Sequence, residues 1–435
     1  MKQIIKERIE QIKSGEIPSG YKRIVNSVVP IDWGQNCLEQ LFEFYGGLGK
    51  SRDELCDEGI PYLHYGDMHR NTFSKVSHDQ YQNEPKYDMN VEGSENFLLK
   101  DGDVVYLDAS EDLVGTARSV MIDNPENKPF ISGLHTIVGR SKNEYLQKDF
   151  KQYITNPFYV RKQFMRLASG FKVYGLNRES IKKIELAYPK SISEQQKIAE
   201  ILLIWDKAIS LQEDLIRKLE VQKKSLMQKM LIPNNEWKPL TLKNCGETYG
   251  GLNGKSKDDF GTGSPFITYM NIFSNPIIDI NSFELVRVEE NESQNKVRYG
   301  DVFFTTSYET PEEVGMASVL LNEVENVYLN SFCFGYRLFD FESILPEFAA
   351  YYFRSNYFRS ILNTLAQGAT RFNLSKKSLM EISVPFPSIQ EQKRIADILI
   401  LNMKCINLQN CKMEKLKLQQ EAMKQLLLTG IVRVN

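Results

Sequence analysis

The chain is written twice. Trp33 and Trp237 each open a matching stretch in which Leu38 and Leu242, then YGGL at 45–48 and 249–252, follow at one offset. PYLHYGDM (61–68) pairs with PFITYMNI (265–272), and DGDVVYLDAS (101–110) with YGDVFFTTSY (299–308). The longest match sets ASGFKVYGLNRESIKKIELAYPKSISEQQKIAEIL (168–202) against AQGATRFNLSKKSLMEISVPFPSIQEQKRIADIL (366–399). A repeat of roughly 200 residues is far too long for a solenoid unit. It is a globular domain plus an appended element, copied once, and any fold for this chain has to accommodate two of each.

The appended element is a long helix. Ser191 with Glu194, and Ser388 with Glu391, form capping boxes just after Pro189 and Pro387. Behind the first, alternating steps of four and three give Ile198, Leu202, Trp205, Ile209 and Gln212; behind the second, Ile395, Leu399, Ile406, Gln409 and Leu416 fall on the equivalent seam. An apolar seam sustained over several heptads predicts a coiled coil rather than one amphipathic face. Pro233 and Gly430 stop the two helices. At 1.5 Å per residue each would be a rod of roughly 57 Å. Running antiparallel, the two helices would hold two globular domains apart about an approximate two-fold, with Gln212 and Gln409 meeting in one central layer that fixes register. The expected fold is α+β: a tandem duplication of an α/β domain and a long helix, the helices pairing as an antiparallel coiled coil.

Chemistry of its own is hard to find. YGGLGKS (45–51) and YGGLNGKS (249–256) end like a phosphate-binding loop, but the turn-forming glycine of GxxxxGK[ST] is replaced by Phe44 and Tyr249. GxGxxG, HExxH and GxSxG do not occur, and Asn156-Pro157-Phe158-Tyr159 lacks the second proline of a base-methylating loop. The six cysteines form no CxxC pair and read as reduced thiols of a cytoplasmic protein, while the four histidines all lie in the first half, so no repeated metal site is expected. No apolar run reaches membrane-spanning length. Net charge is only −2, yet its distribution repeats. Residues 76–127 hold twelve acids to three bases and 140–190 twelve bases to four acids; 279–347 hold fourteen acids to four bases and 351–378 five bases with no acid.

Two similar domains, each followed by a helix beginning P-x-[ST]-[IL]-x-EQ, resemble the specificity subunit of type I DNA restriction-modification systems. The opening RIEQIKSGEIPSGYKRIVNSVVPIDW, the stretch GATRFNLSKKSLMEISVPFPSIQEQKRIADIL and the closing LLLTGIVRV carry the same resemblance. It implies a non-catalytic subunit in which each globular half is a target-recognition domain for one half of a bipartite, asymmetric DNA site. The helices would set the gap and dock two methyltransferase subunits using S-adenosylmethionine. Motor-nuclease subunits using ATP and Mg²⁺ would join for restriction. The implied division is an N-terminal helical segment (1–29), recognition domains at 30–190 and 233–387, spacer helices at 191–232 and 388–430, and a tail (431–435). A duplicated coiled-coil scaffold joining two proteins without DNA is the alternative from another class; a related methylation system lacking a motor is a third.

Paired readers of different half-sites need shared scaffolds and divergent tips. Forks of Arg, Lys, Asn and Gln read base edges, and basic or hydroxyl groups hold phosphates. The glycine loops qualify, with Lys50, Ser51 and Arg52 against Lys255, Ser256 and Lys257. His64, Tyr65, Asp67, His69 and Arg70 face Tyr269 and Asn271 after the next strand, and Ser307 and Tyr308 follow GDVFFTT as Ser110 follows its counterpart. Lys172 and Tyr174, with Arg371, Asn373 and Lys376, lie in the basic portions and are expected at phosphates. Arg371 fits the family's loop, whereas the first copy has Val173 at that position.

Overall fold

The computed structural model describes residues 2–70, 74–81, 84–88, 97–113, 115–116, 118–366, 368 and 371–434. The chain forms two compact units, Met1–Gln212 with Lys412–Asn435, and Glu213–Cys411. Both are α+β and follow one plan. In the first, a sheet runs in the order Phe42–Gly46, Thr136–Ser141, Val104–Leu107, Ser119–Asp123, with Lys75–Ser77 added in parallel at the edge. In the second the order is Gly246–Gly250, Cys333–Leu338, Val302–Thr305, Ala317–Val319. A smaller sheet accompanies each: Ile60–Leu63 lies between Ile131–Ser132 and Lys86–Tyr87, and Phe260–Ile267 between Tyr328–Leu329 and Glu284–Val286. Val104–Leu107 and Val302–Thr305 are buried along their whole length, as continuous runs of β-branched and aromatic residues require.

The repeated Gly-Asp before those strands has a physical cause. Gly102 and Gly300 turn the chain through the left-handed region, at φ of 76° and 82°. The aspartates that follow, 2% and 1% exposed, would be intolerable there unpaired. Arg140 donates to Asp103 from Nε and Nη2 at 3.1 and 2.7 Å, and Arg337 to Asp301 at 2.8 and 2.6 Å. Each guanidinium also lies over the tyrosine of a YGGL stretch, Arg140 over Tyr45 and Arg337 over Tyr249, at 5.3 and 4.7 Å. The second glycines of YGGL answer to packing as well. A Cβ on Gly47 would fall 1.9 Å from the Gly133 carbonyl oxygen, and one on Gly251 2.1 Å from that of Asn330. The recurring phosphate-loop look is therefore a close backbone crossing.

The predicted long helices are Ile192–Met230 and Ile389–Leu428. Their EQ starts do more than cap. Gln195 donates to the carbonyls of Tyr145 and Pro189 and accepts from the Gln147 amide. Gln392 repeats this with the carbonyls of Ser343 and Pro387 and the Leu345 amide. Both glutamines are wholly buried, so each riveted helix start is continuous with its domain.

In the first unit Ile198 and Leu202 share a core with Leu427, Leu428 and Met423 from the far end of the second helix. In the second, Ile395 and Leu399 pack with Leu226, Met227 and Met230. Within each unit the helices therefore run antiparallel. Of the expected seam residues, Ile209 and Ile406 are buried and Trp205 and Leu416 half-buried. Gln212 is buried in the first unit and Gln409 half-buried in the second. A polar tie that the heptad pattern did not reveal lies at Asp206, which accepts from the Tyr153 hydroxyl of the domain and from Gln420 of the second helix at 2.5 and 2.6 Å.

Candidate nucleic-acid interface

Short strand pairs assemble the site in each unit. Ala109–Ser110 pairs with Tyr174–Gly175, and Ser307–Tyr308 with Phe372–Asn373. The stretch from Gly170 to Val173, and in the other unit Gly368 and Arg371, are thereby drawn to the ends of the central strands. Both glycines are left-handed, at φ of 135° and 147°, and a Cβ on either would strike the carbonyl oxygen three residues ahead, at 1.9 and 2.0 Å. The helices Tyr65–Arg70 and Tyr269–Ser274 belong to the same neighbourhoods.

In the first unit these parts line a cleft of about 500 Å³ whose walls include Tyr65, His69, Ser110, Asp112, His135 and Val173. His135 holds a left-handed backbone at φ 59°, a cost a non-glycine residue meets only where its surroundings enforce it. Its Nδ1 lies 3.1 Å from Asp108 Oδ1, and burial pushes the Asp108 carboxyl above its ordinary value. The Tyr65 ring stands edge-on to His135 at 5.3 Å and against His64 at 4.4 Å. In the second unit the rings stack instead: Tyr269 on Phe273 at 6.0 Å and Phe273 on Tyr308 at 4.9 Å. The Tyr269 hydroxyl donates to the Ser307 carbonyl at 2.9 Å, and burial raises its phenol. Phe273 and an exposed Phe332 occupy the topological places of His69 and His135. One frame thus carries imidazole and carboxylate in one copy, stacked phenyl rings and Arg371 in the other.

The two short helices are braced by different arginines. Arg118 donates to the His69 carbonyl at 2.8 Å. Arg354, from elsewhere in its unit, donates to the carbonyls of Ile272, Phe273, Asn275 and Ala317. Arg359 donates to the Gly315 and Glu312 carbonyls. Burial lowers the pKa of Arg354 and of Arg359 to about 10.

The expected contact residues divide by burial. Lys172, Ser51, Arg52, Ser256, Lys257, Arg371, Asn373 and Lys376 are exposed. Lys50, Tyr65, Asp67, His69, Tyr174, Tyr269 and Tyr308 are half-buried. Lys50 pairs with Glu54, and Arg52 with Asp67 and Glu84. Ser51 and Ser256 cap matching single turns, Ser51 with Glu54 and Ser256 with Asp259. The Lys376 ammonium sits beside the YGGL turn at Gly250.

Four expected residues point inward. Lys255, its side chain 5% exposed, is held by Glu292. The Asn271 amide is satisfied by the Asp279 backbone and Asn275. His64 is buried and accepts from the Gly66 amide, and Ser307 is buried with its carbonyl taken by the Tyr269 hydroxyl. The side chain of Arg70 lies outside the described residues, as do Ala369 and Thr370. Sequence reasoning passed over His135, Asp108 and Phe171. Only the pairing of distant strands places His135 in the cleft wall, Asp108 against it and Phe171 on the loop whose Val173 lines it, and no local signal marks them. Among the described residues no group of three or more His, Cys, Asp or Glu could hold a metal ion, and no helix is long and apolar enough to cross a membrane.

Comparison with known proteins matches both copies. The model of the type I restriction modification DNA specificity domain fits residues 30–221 and again 234–418. The putative type I restriction enzyme MjaX specificity subunit of Methanocaldococcus jannaschii is 24% identical over 341 residues, 71% of this chain and 74% of that protein. The MjaVIII specificity subunit of the same organism is 22% identical over 306 residues, 65% and 70% of the two chains. Among solved structures, the S subunit of a type I restriction-modification system from M. genitalium shares the fold at a TM-score of 0.53 and 15% identity, covering 91% of this chain and 96% of that one. A chain solved in work on complex assembly and conformational transition of the type I R-M system gives a TM-score of 0.59 at 14% identity, with 93% and 99% covered. Matched by its model over both halves, the chain belongs to the family of type I restriction-modification DNA specificity domains and carries two of them in tandem.

Proposed function

We propose that each recognition domain reads one half of a bipartite, asymmetric DNA site, and that the paired long helices set the gap between the halves. The observation that carries this reading is one site frame built twice with different tips. Identical tips would read one repeated sequence; His69, His135 and Val173 in one copy against Phe273, Phe332 and Arg371 in the other read two. Arg371 has the fork that suits guanine O6 and N7, and exposed Lys172, Lys257 and Lys376 suit phosphates. Half-sites about one helical turn apart, roughly 34–36 Å, face one side of the duplex. Helices of 39 and 40 residues are long enough for that spacing.

The helices also carry an apolar stripe that their own seam does not use. Ile204, Leu211 and Val221 are exposed on the first helix, and Leu401, Leu408 and Leu418 are exposed at the matching positions of the second. A docking face written twice calls for two copies of one partner, and methyltransferase subunits fill that role in this reading. S-adenosylmethionine would be theirs, and ATP and Mg²⁺ would belong to motor-nuclease subunits. This chain is then a non-catalytic, cytoplasmic component. The test is a genome-wide map of N6-methyladenine in a host carrying the chain and its methyltransferase, against a deletion of this chain alone. Loss of one gapped, two-part motif is the expected result. An unchanged methylome returns the scaffold reading.

A further inference from the structure

Phe171 is 95% exposed, on a loop closed at its base. The base of the loop is closed by Ser169 and Gly175, each amide donating to the other's carbonyl at 3.0 and 2.7 Å. The same strand, Tyr174–Gly175, is pinned to Ala109–Ser110. Gly170 turns the chain back so tightly that the Val173 carbonyl occupies the place of a Cβ. The ring is therefore held outward by a closed scaffold, between Lys172, which makes no ion pair among the described residues, and Val173, which is 52% exposed and lines the cleft with Tyr65, His69 and His135. The aligned stretch of the second domain, Ala369, Thr370 and Arg371, contains no aromatic residue.

We propose that Phe171 is an apolar wedge that enters a base step of the half-site read by the first domain. The proposal rests on the DNA-reading function above and goes beyond it in naming how one half-site is read. Apolar side chains that slip between base steps unstack them and kink the duplex, and the ammonium of Lys172 is placed to hold the adjoining phosphate. Unstacking is least costly at pyrimidine–purine steps, so the half-site of the first domain should contain a TA, CA or TG step that no side chain contacts through hydrogen bonds. The second domain, with Ala369 at the position of Phe171 and Arg371 at that of Val173, reads by hydrogen bonds and serves as an internal control.

The experiment uses the full chain assembled with its methyltransferase subunits and duplexes bearing the mapped motif. 2-Aminopurine, bright when unstacked, is placed in turn at each position of both half-sites. The expected result is a fluorescent step in the first domain's half-site that goes dark in Phe171→Ala and persists in Phe171→Leu. Affinity should fall about ten- to a hundredfold in the alanine variant. The second half-site and the base extruded for methylation should respond equally in all three proteins. A motif recognised with undiminished affinity by Phe171→Ala, with no step changing, overturns the wedge alone. Failure of Phe171→Ala to assemble with its partners overturns it in favour of a protein contact. Absence of any two-part motif dependent on this chain removes the parent reading and the wedge with it.

Discussion

At the scale of single residues, one buried ion pair is repeated in both halves and another belongs to one half alone. Asp103 with Arg140 and Asp301 with Arg337 are one solution used twice, because a buried carboxylate leaves little latitude in what must face it. Arg433 is a tie with no copy. It reaches buried Glu194 at the first helix start, Asp32 at the domain entrance and the face of Trp33. Its hydrogen bonds hold the Asp32 carboxyl below its ordinary value. A carboxyl depressed in the fold contributes stability that is complete above its unfolded pKa and is lost as pH falls through the folded one. Arg433→Gln should therefore lower Tm at neutral pH, with the difference from wild type narrowing below about pH 4. Leaving Glu194 buried and unpaired should account for about 3–5 kcal/mol of the neutral-pH loss. Paired thermal melts between pH 3 and 7 read this directly; a difference that grows toward acid would contradict it.

At the scale of elements, the helix starts were legible because Ser-x-x-Glu after a proline is a local signal, and Ser191 and Ser388 accept from the Glu194 and Glu391 amides. Their glutamines were not. Gln195 and Gln392 act on carbonyls some fifty residues upstream, at Tyr145 and Ser343, and no local pattern records such a partner. A polar tie outside the apolar seam pattern joins Asp206 and Gln420, because Tyr153 of the domain comes to that level of the helix. The exposed stripe of the helices supports a prediction of its own. Leu401→Asp with Leu408→Asp should leave folding intact, as both side chains already face water, and should cut methyltransferase recruitment at least tenfold in a titration followed by sedimentation. A ruler makes a second demand: matched four-residue insertions in the two helices add about 6 Å each. Mapping the methylated motif should then show a longer gap between unchanged half-sites. An old gap retained would dismiss the helices as the spacer.

At the scale of the whole molecule, duplication allows each half to vary alone. Replacing residues 234–387 with the corresponding domain of another family member should change one half-site in the methylome and leave the other and the gap as they were. A change in both would mean that the domains read jointly. Arg118 and Arg354 illustrate how the halves have drifted. Both brace the short helix beside the site, but from different elements, so aligning the copies reveals neither.

The sequence by itself determined the duplication, the long helices with their starts and stops and the absence of a known catalytic motif. Each of these rests on periodicity, spacing or identity within a short window, which local chemistry enforces. It also singled out candidate loops for the site. Only the tertiary structure decided which of their side chains face out. Lys255 turns inward to Glu292, 37 residues on, Asn271 to Asn275 and the Asp279 backbone, and His64 and Ser307 are covered by packing. His135, Asp108 and Phe171 gain their places because strand pairing carries the 133–135 turn and the Gly170 loop to one cleft. Burial and juxtaposition are long-range properties, and they separate a basic residue that is available to DNA from one already engaged within the fold.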